Sequence, residues 1–140
     1  MFIKQLSIFV ENKHGGLDSV LKALKEKDIN IRALSLADTT NFGILRLIVS
    51  EPEKAKTTLW ESGVFAKTTD VIAAYVDDET GGLATLIEPL TAAGLEVEYM
   101  YAFTSRKEGK ALIVLKANDE EKAGEILTSC GIKTVDENDL

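Results

Sequence analysis

The chain has 140 residues, 45% hydrophobic and 28% charged, with a net charge of −7, the proportions of a globular protein rather than a disordered one. Residues 1–71 hold 10 basic and 9 acidic side chains and residues 72–140 hold 6 and 14. Neither half therefore offers the basic field that nucleic acid or an anionic membrane demands. No apolar run reaches membrane-spanning length, and Met1–Gln5 opens without the basic start and apolar stretch of a secretory leader. Cys130 is the only cysteine, which excludes an intrachain disulfide and, with the rest, predicts a cytoplasmic protein.

Residues 2–10 alternate in polarity and predict a strand, with Leu6, Ile8 and Val10 on one face. Gly15-Gly16 breaks it. Leu17, Val20, Leu21 and Leu24 then recur at helical spacing, and the helix stops near Asp28, a tolerated residue for a positive φ. Residues 29–37 and 43–49 alternate again around a turn at Thr39-Thr40-Asn41, which predicts a hairpin. Ser50-Glu51-Pro52-Glu53 reads as a capping box with proline in the first helical turn. The helix it opens buries Ala55 and Leu59 and stops at Gly63, before a short strand near Lys67–Thr69.

The same order then returns. Asn12-Lys13-His14-Gly15-Gly16-Leu17 reappears 66 residues later as Asp78-Glu79-Thr80-Gly81-Gly82-Leu83, and Glu53-Lys54-Ala55 reappears 68 residues later as Glu121-Lys122-Ala123. Leu83, Leu86, Ile87 and Leu90 form the second copy's helix, with Pro89 inside it and Gly94 as its stop. Asn118-Asp119-Glu120-Glu121 starts the next helix, which ends at Gly131 before a strand near Lys133–Val135. The fold class is α+β: two ferredoxin-like βαββαβ repeats, 1–70 and 71–140, with antiparallel sheets, helices on one face and the repeats packed side by side.

The open sheet face of the first copy is expected to show Phe9, Leu34, Leu36, Ile44 and Ile48, diluted by Arg32 and Arg46. That much apolar surface predicts cover by another subunit, a homo-oligomer such as a dimer. Tyr99, Tyr101 and Phe103 stand where the first copy has Ala33, Ser35 and Ala37. They are read as core filling, with an aromatic wall beside a ligand as the alternative. Arg106-Lys107 reads as a solvated turn.

A strand ending in Val10-Glu11-Asn12-Lys13-His14-Gly15-Gly16-Leu17, an amphipathic helix, then Ile29-Asn30-Ile31 opening the second strand resembles the ACT domain. That module is a small-molecule sensor, mostly for amino acids, attached to many biosynthetic enzymes. The Asn-x-x-Gly loop with a second asparagine on the next strand is similar to the serine-sensing domains of phosphoglycerate dehydrogenase, and the resemblance covers the whole chain as a stand-alone pair. It departs from the family at His14 and Thr80, where proline is usual, and in the second copy at Asp78 and Glu96, which replace the two asparagines.

The resemblance implies a ligand site made of Asn12, His14, Gly15, Gly16, Leu17, Asn30 and Ile31 with Asp78, Thr80, Gly81, Gly82, Leu83 and Glu96. If a seam pairs one copy's loop with the other's second strand, Asn12 faces Glu96 and Asp78 faces Asn30. A zwitterion suits such a place. Helix N-termini offer unpartnered N–H groups to its carboxylate, and a carboxylate suits its ammonium. Against this stands the plainer reading, in which Gly15-Gly16 is a tight turn, the asparagines are turn residues and His14 is solvated. No catalytic constellation, metal cluster or phosphate loop emerges, so no cofactor is expected. The implied function is non-catalytic, amino-acid-binding and regulatory. The alternative is a structural protein with degenerate sites, docking on a metabolic enzyme through its apolar sheet face, and a small enzyme on the same sandwich is a third reading.

Overall fold

A computed structural model of the chain describes residues 1–11, 14–38, 41–105 and 107–140. It divides into two compact units, one of Lys4–Thr69 and one of Met1–Ile3 with Asp70–Leu140. The first is built from β1 (Phe2–Glu11), α1 (Gly16–Glu26), β2 (Ile31–Asp38), β3 (Phe42–Val49) and α2 (Pro52–Glu61). The second is built from β4 (Ala66–Asp77), α3 (Gly82–Ala92), β5 (Val97–Ala102), β6 (Lys110–Ala117) and α4 (Glu120–Ser129), with a last 3₁₀ turn at Glu137–Asp139.

The repeat in the sequence is a repeat in register. β3 pairs antiparallel with both β1 and β2, and β6 pairs antiparallel with both β4 and β5. Leu6 faces Leu47 as Ile72 faces Leu115, and Glu11 faces Phe42 as Asp77 faces Lys110. Each unit buries its own core under its two helices. Leu6, Ile8, Val20, Leu24, Leu45, Leu47 and Leu59 fill the first, and Ile72, Leu86, Leu90, Ile113, Leu115 and Leu127 fill the second. The helical spacing of leucines around Gly15-Gly16 and Gly81-Gly82 thus supplies a roof for the alternating strands.

Asp28 ends α1 with φ 58°, and Gly94 holds the equivalent place after α3 with φ 78°. The backbone needs the left-handed region at both, a conformation glycine adopts freely and aspartate tolerates. Pro89 lies within α3, which runs unbroken to Ala92.

Several local expectations are corrected. The register shifts between Ile31 and Ala33, and again between Val97 and Tyr99. A bulge of one residue reverses which face each later side chain takes. Leu34 and Leu36 therefore lie opposite the core residues Leu47 and Leu45, on the helix side, where they remain 42% and 51% exposed. The face away from the helices carries Phe9 opposite Ile44, and Ile48 is fully buried rather than open. For the same reason Met100, not Tyr99 or Tyr101, joins the second core.

Ser50 does not cap α2. Glu51 is the N-cap residue and makes no side-chain cap bond, because the Ser50 hydroxyl accepts from the Asn30 N–H at 3.0 Å instead. Asn118 does the same, its Oδ1 accepting from the Glu96 N–H at 3.0 Å, which leaves Asp119 to cap α4 by accepting from the Lys122 N–H. The short strand near Lys67–Thr69 is not separate, since those residues run into β4. The expected strand at Lys133–Val135 is a single bridge of Thr134 to Ala74. Of the predicted turns, Thr39, Thr40 and Arg106 lie outside the described residues.

Candidate functional site

Each strand-to-helix loop is shaped by two glycines with different tasks. Gly15 and Gly81 are the N-cap residues of α1 and α3, at φ 86° and 85°, a conformation that a Cβ disfavours. Gly16 and Gly82 pass close to the strand they have left. A Cβ on Gly16 would meet the Glu11 carbonyl oxygen at 3.0 Å, and one on Gly82 would overlap the Asp77 carbonyl oxygen. The Ser19 and Thr85 hydroxyls, one turn on, donate to the Gly15 and Gly81 carbonyls. The plain turn reading thus accounts for the glycines.

The structure brings some of the expected site residues together and separates others. Asn12 lies outside the described residues. His14 and Leu17 line a cleft of about 540 Å³ with Leu36 and Gly43, on the helix side of the first sheet. Asn30 and Ile31 line a different cleft, with Leu24 and Lys25. Within one repeat these clefts are at opposite ends, since Asp38 pairs beside Gly43 and Ile31 beside Val49. Seven steps of strand separate them, about 23 Å at ~3.3 Å per residue. Asn30 and Glu96 have exposed side chains, while their backbones are clamped by Ser50 and Asn118. Asp78 is anchored by its N–H to the Gly109 carbonyl, and Thr80 and Leu83 are exposed.

A pair of equivalent clefts beside these loops was not foreseen. In the first unit Phe9, Val10, Glu11, Gly16, Ser19, Val20, Gly63, Val64 and Phe65 enclose about 340 Å³. In the second, their counterparts Tyr75, Val76, Asp77, Gly82, Thr85, Leu86, Gly131, Ile132 and Lys133 enclose about 430 Å³, with Glu79, Lys107, Glu108 and Lys110 added. The backbone frame is shared and the chemistry is not. Phe9 is 66% exposed and meets Phe42 edge to face at 6.3 Å, while Phe65 lies against Trp60. In the second unit Lys110 replaces Phe42 and pairs with Asp77. Lys133 replaces Phe65, and Lys107 and Lys133 stand 5.5 and 5.8 Å from the centre of the Tyr75 ring.

Away from the clefts, Glu120 is the one described side chain with a buried oxygen lacking a partner, Oε2. Burial raises its carboxyl above the ordinary value, against the opposing pull of the Ala117 N–H and the Lys116 ammonium. Among the described residues no group of three or more histidine, cysteine, aspartate or glutamate side chains could hold a metal ion, and no helix is long and apolar enough to cross a membrane.

Two units of β-α-β-β-α order, each turned into its first helix by a glycine pair, define a tandem ferredoxin-like protein. The family model of the ACT domain pair matches residues 1–140, and the chain belongs to that family. A protein from Bacteroides thetaiotaomicron is 36% identical, with 99% of this chain and 95% of that one covered and a TM-score of 0.92. The ligand-free regulatory subunit of aspartate kinase from Thermus thermophilus has the same fold at 15% identity, 91% coverage of both chains and a TM-score of 0.64. The corresponding subunit from Thermus flavus gives 14%, 91% and 92% coverage, and 0.61. No curated protein matches the chain.

Proposed function

We propose that the chain is a non-catalytic, cytoplasmic regulatory module that binds an amino acid. The observation that carries this reading is the duplicated glycine turn in a member of the ACT domain pair family, with Gly15 and Gly81 within a degree of each other in φ. Each turn presents first-turn N–H groups that lack helical partners, a seat for a carboxylate. The fold shared with regulatory subunits of aspartate kinase agrees with a regulatory role.

In this reading the ligand is held at a seam where one repeat's loop meets the other repeat's second strand. The partner sets are Asn12 with Glu96 and Asp78 with Asn30, each one amide and one carboxylate for a zwitterion. His14, Gly15, Gly16, Leu17 and Ile31 complete the first repeat's share, and Thr80, Gly81, Gly82 and Leu83 the second's. The 23 Å or so between loop and strand start within a repeat supports taking them from two copies. The copies belong to one chain or to the two chains of a homodimer. Binding signals only if the ligand prefers one arrangement of the protein over another.

A thermal-shift screen against the amino acids tests this. One selective stabiliser is expected, because a ligand of the folded state alone raises stability. Asn12→Ala and Asn30→Ala should each abolish its calorimetric signal, and unchanged affinity in both refutes the seam. A second reading is favoured by the exposed Phe9, Phe42, Trp60 and Phe65. In it the first repeat docks on a metabolic enzyme, and no amino acid stabilises the protein.

A further inference from the structure

We propose that the bound amino acid carries a neutral aliphatic side chain, and that this side chain enters a notch at Gly43 in the cleft shared by His14, Leu17 and Leu36. This rests on the amino-acid reading above and adds to it a ligand class and two residues, Leu36 and Gly43.

Strand register makes the notch. Val10, Gly43 and Asp38 stand side by side across β1, β3 and β2, and Ile8, Leu45 and Leu36 form the next row on the same face. Gly43 brings no side chain to its row, so the helix-side surface dips there between Val10 and Asp38. Gly43 is not among the glycines with positive φ, so its backbone does not demand glycine. A glycine inside a strand forfeits packing and marks a place where something approaches the backbone closely. The nearest atom to the position of a Gly43 Cβ is Leu36 Cδ1 at 3.0 Å, and the next are two backbone oxygens at 3.7 and 3.8 Å. Leu36 thus leans over the notch, yet stays exposed.

The notch lies within reach of the first turn of α1. A Cβ on Gly16 would meet Val10 Cγ1 at 3.1 Å, so that turn rests on Val10. Gly43 is the next strand over from Val10, about 5 Å away. At about 1.5 Å per bond, an amino acid whose carboxylate sits at the turn reaches that far with the second or third carbon of its side chain.

The surroundings set its chemistry. Val10, Leu17 and Leu36 line the cleft with hydrocarbon, where a hydroxyl or an ammonium would exchange water for apolar neighbours. Glu11 and Asp38 are exposed at the mouth and repel an acidic side chain. The space is that of one absent strand side chain, partly taken by Leu36, which suits a few aliphatic carbons rather than a ring. The second repeat differs at both positions, with Ala111 for Gly43 and Ala102 for Leu36. A methyl group fills its row where the first repeat is open, so the opening is not a requirement of the fold.

The test is calorimetric titration of the whole chain with each protein amino acid in turn. Valine or leucine is expected to bind at least tenfold more tightly than glycine, serine, aspartate, lysine or phenylalanine. Gly43→Ala puts a methyl group into the notch, as Ala111 does in the other repeat, and the end of Leu36 can swing aside for it. That variant should bind the preferred ligand at least tenfold more weakly, with the melting temperature of the free protein not lowered. Leu36→Ala opens the notch and should narrow the gap between phenylalanine and leucine. If no amino acid binds, the amino-acid reading falls and the notch falls with it. If glycine, phenylalanine or a polar amino acid binds tightest, or if Gly43→Ala leaves the valine and leucine affinities unchanged, amino-acid binding stands and the notch alone is overturned.

Discussion

The two loop-side clefts differ more than the two cores beneath them. Leucines and isoleucines meet in the same register in both units, yet one cleft is walled by phenylalanines and the other by lysines around a tyrosine. Packing constrains a buried side chain from every direction, and a change of one methylene there is felt. A cleft wall is constrained from one side only, so duplicated copies diverge there first. Agreement between the copies therefore marks what the fold requires, and disagreement marks where the copies are free to do different things.

The sharpest way to break this comparison is at its common part. Leu24→Ala and Leu90→Ala each remove a fully buried side chain at equivalent positions and should each cost about 3 kcal/mol. Urea unfolding measures both, and a large inequality would show that the cores are not interchangeable. The glycine loops sharpen the comparison next. Gly82→Ala places a Cβ into backbone that cannot swing aside, where Gly16→Ala meets only a tight contact. Losses of about 3 and about 1 kcal/mol are expected by the same assay.

Asp28→Gly gives the first repeat the residue the second already has, in a left-handed conformation. A gain of about 0.5 kcal/mol should appear as a small rise in melting temperature. The smallest effect belongs to Glu120, which has Pro52, not a carboxylate, as its first-repeat counterpart. Burial raises its folded pKa, so the folded state holds that proton more tightly than the unfolded one. Its contribution to stability is present below the ordinary value of 4.5 and is lost as pH rises through the folded value. Glu120→Gln should therefore gain on the parent protein as pH rises across that window, in unfolding curves run at stepped pH.

The repeat itself, the first five elements of each copy and the helix stops were legible, because each rests on local signals: spacing, glycine and proline. Asp28 was readable as a stop only because Gly94 stands at the same place in the other copy. The bulges at Ile31/Ala33 and Val97/Tyr99 were not legible. Alternation fixes which residues share a face only while the register holds, so Leu34, Leu36 and the tyrosines were assigned to the wrong side. Ser50 and Asn118 were misread for another reason. A hydroxyl or amide ahead of acidic residues looks like a cap, and only the folded chain brings Asn30 and Glu96 within reach to claim it. The lysine cleft was hidden because Tyr75, Lys107 and Lys133 are far apart in sequence, and Lys107 beside Arg106 resembled an ordinary solvated turn.

The membership of Met1–Ile3 in the later unit has a consequence for biosynthesis. Phe2 packs on the core of residues 72–127, and a Cβ at Gly124 would collide with the Met1 sulfur. Those three residues leave the ribosome before residues 4–69, and the partners they need leave it after them. Residues 4–69 can close as soon as they emerge, in the usual vectorial order. The other unit cannot be finished until residues 70–127 have followed, so its apolar surface waits longer for cover in a newborn chain.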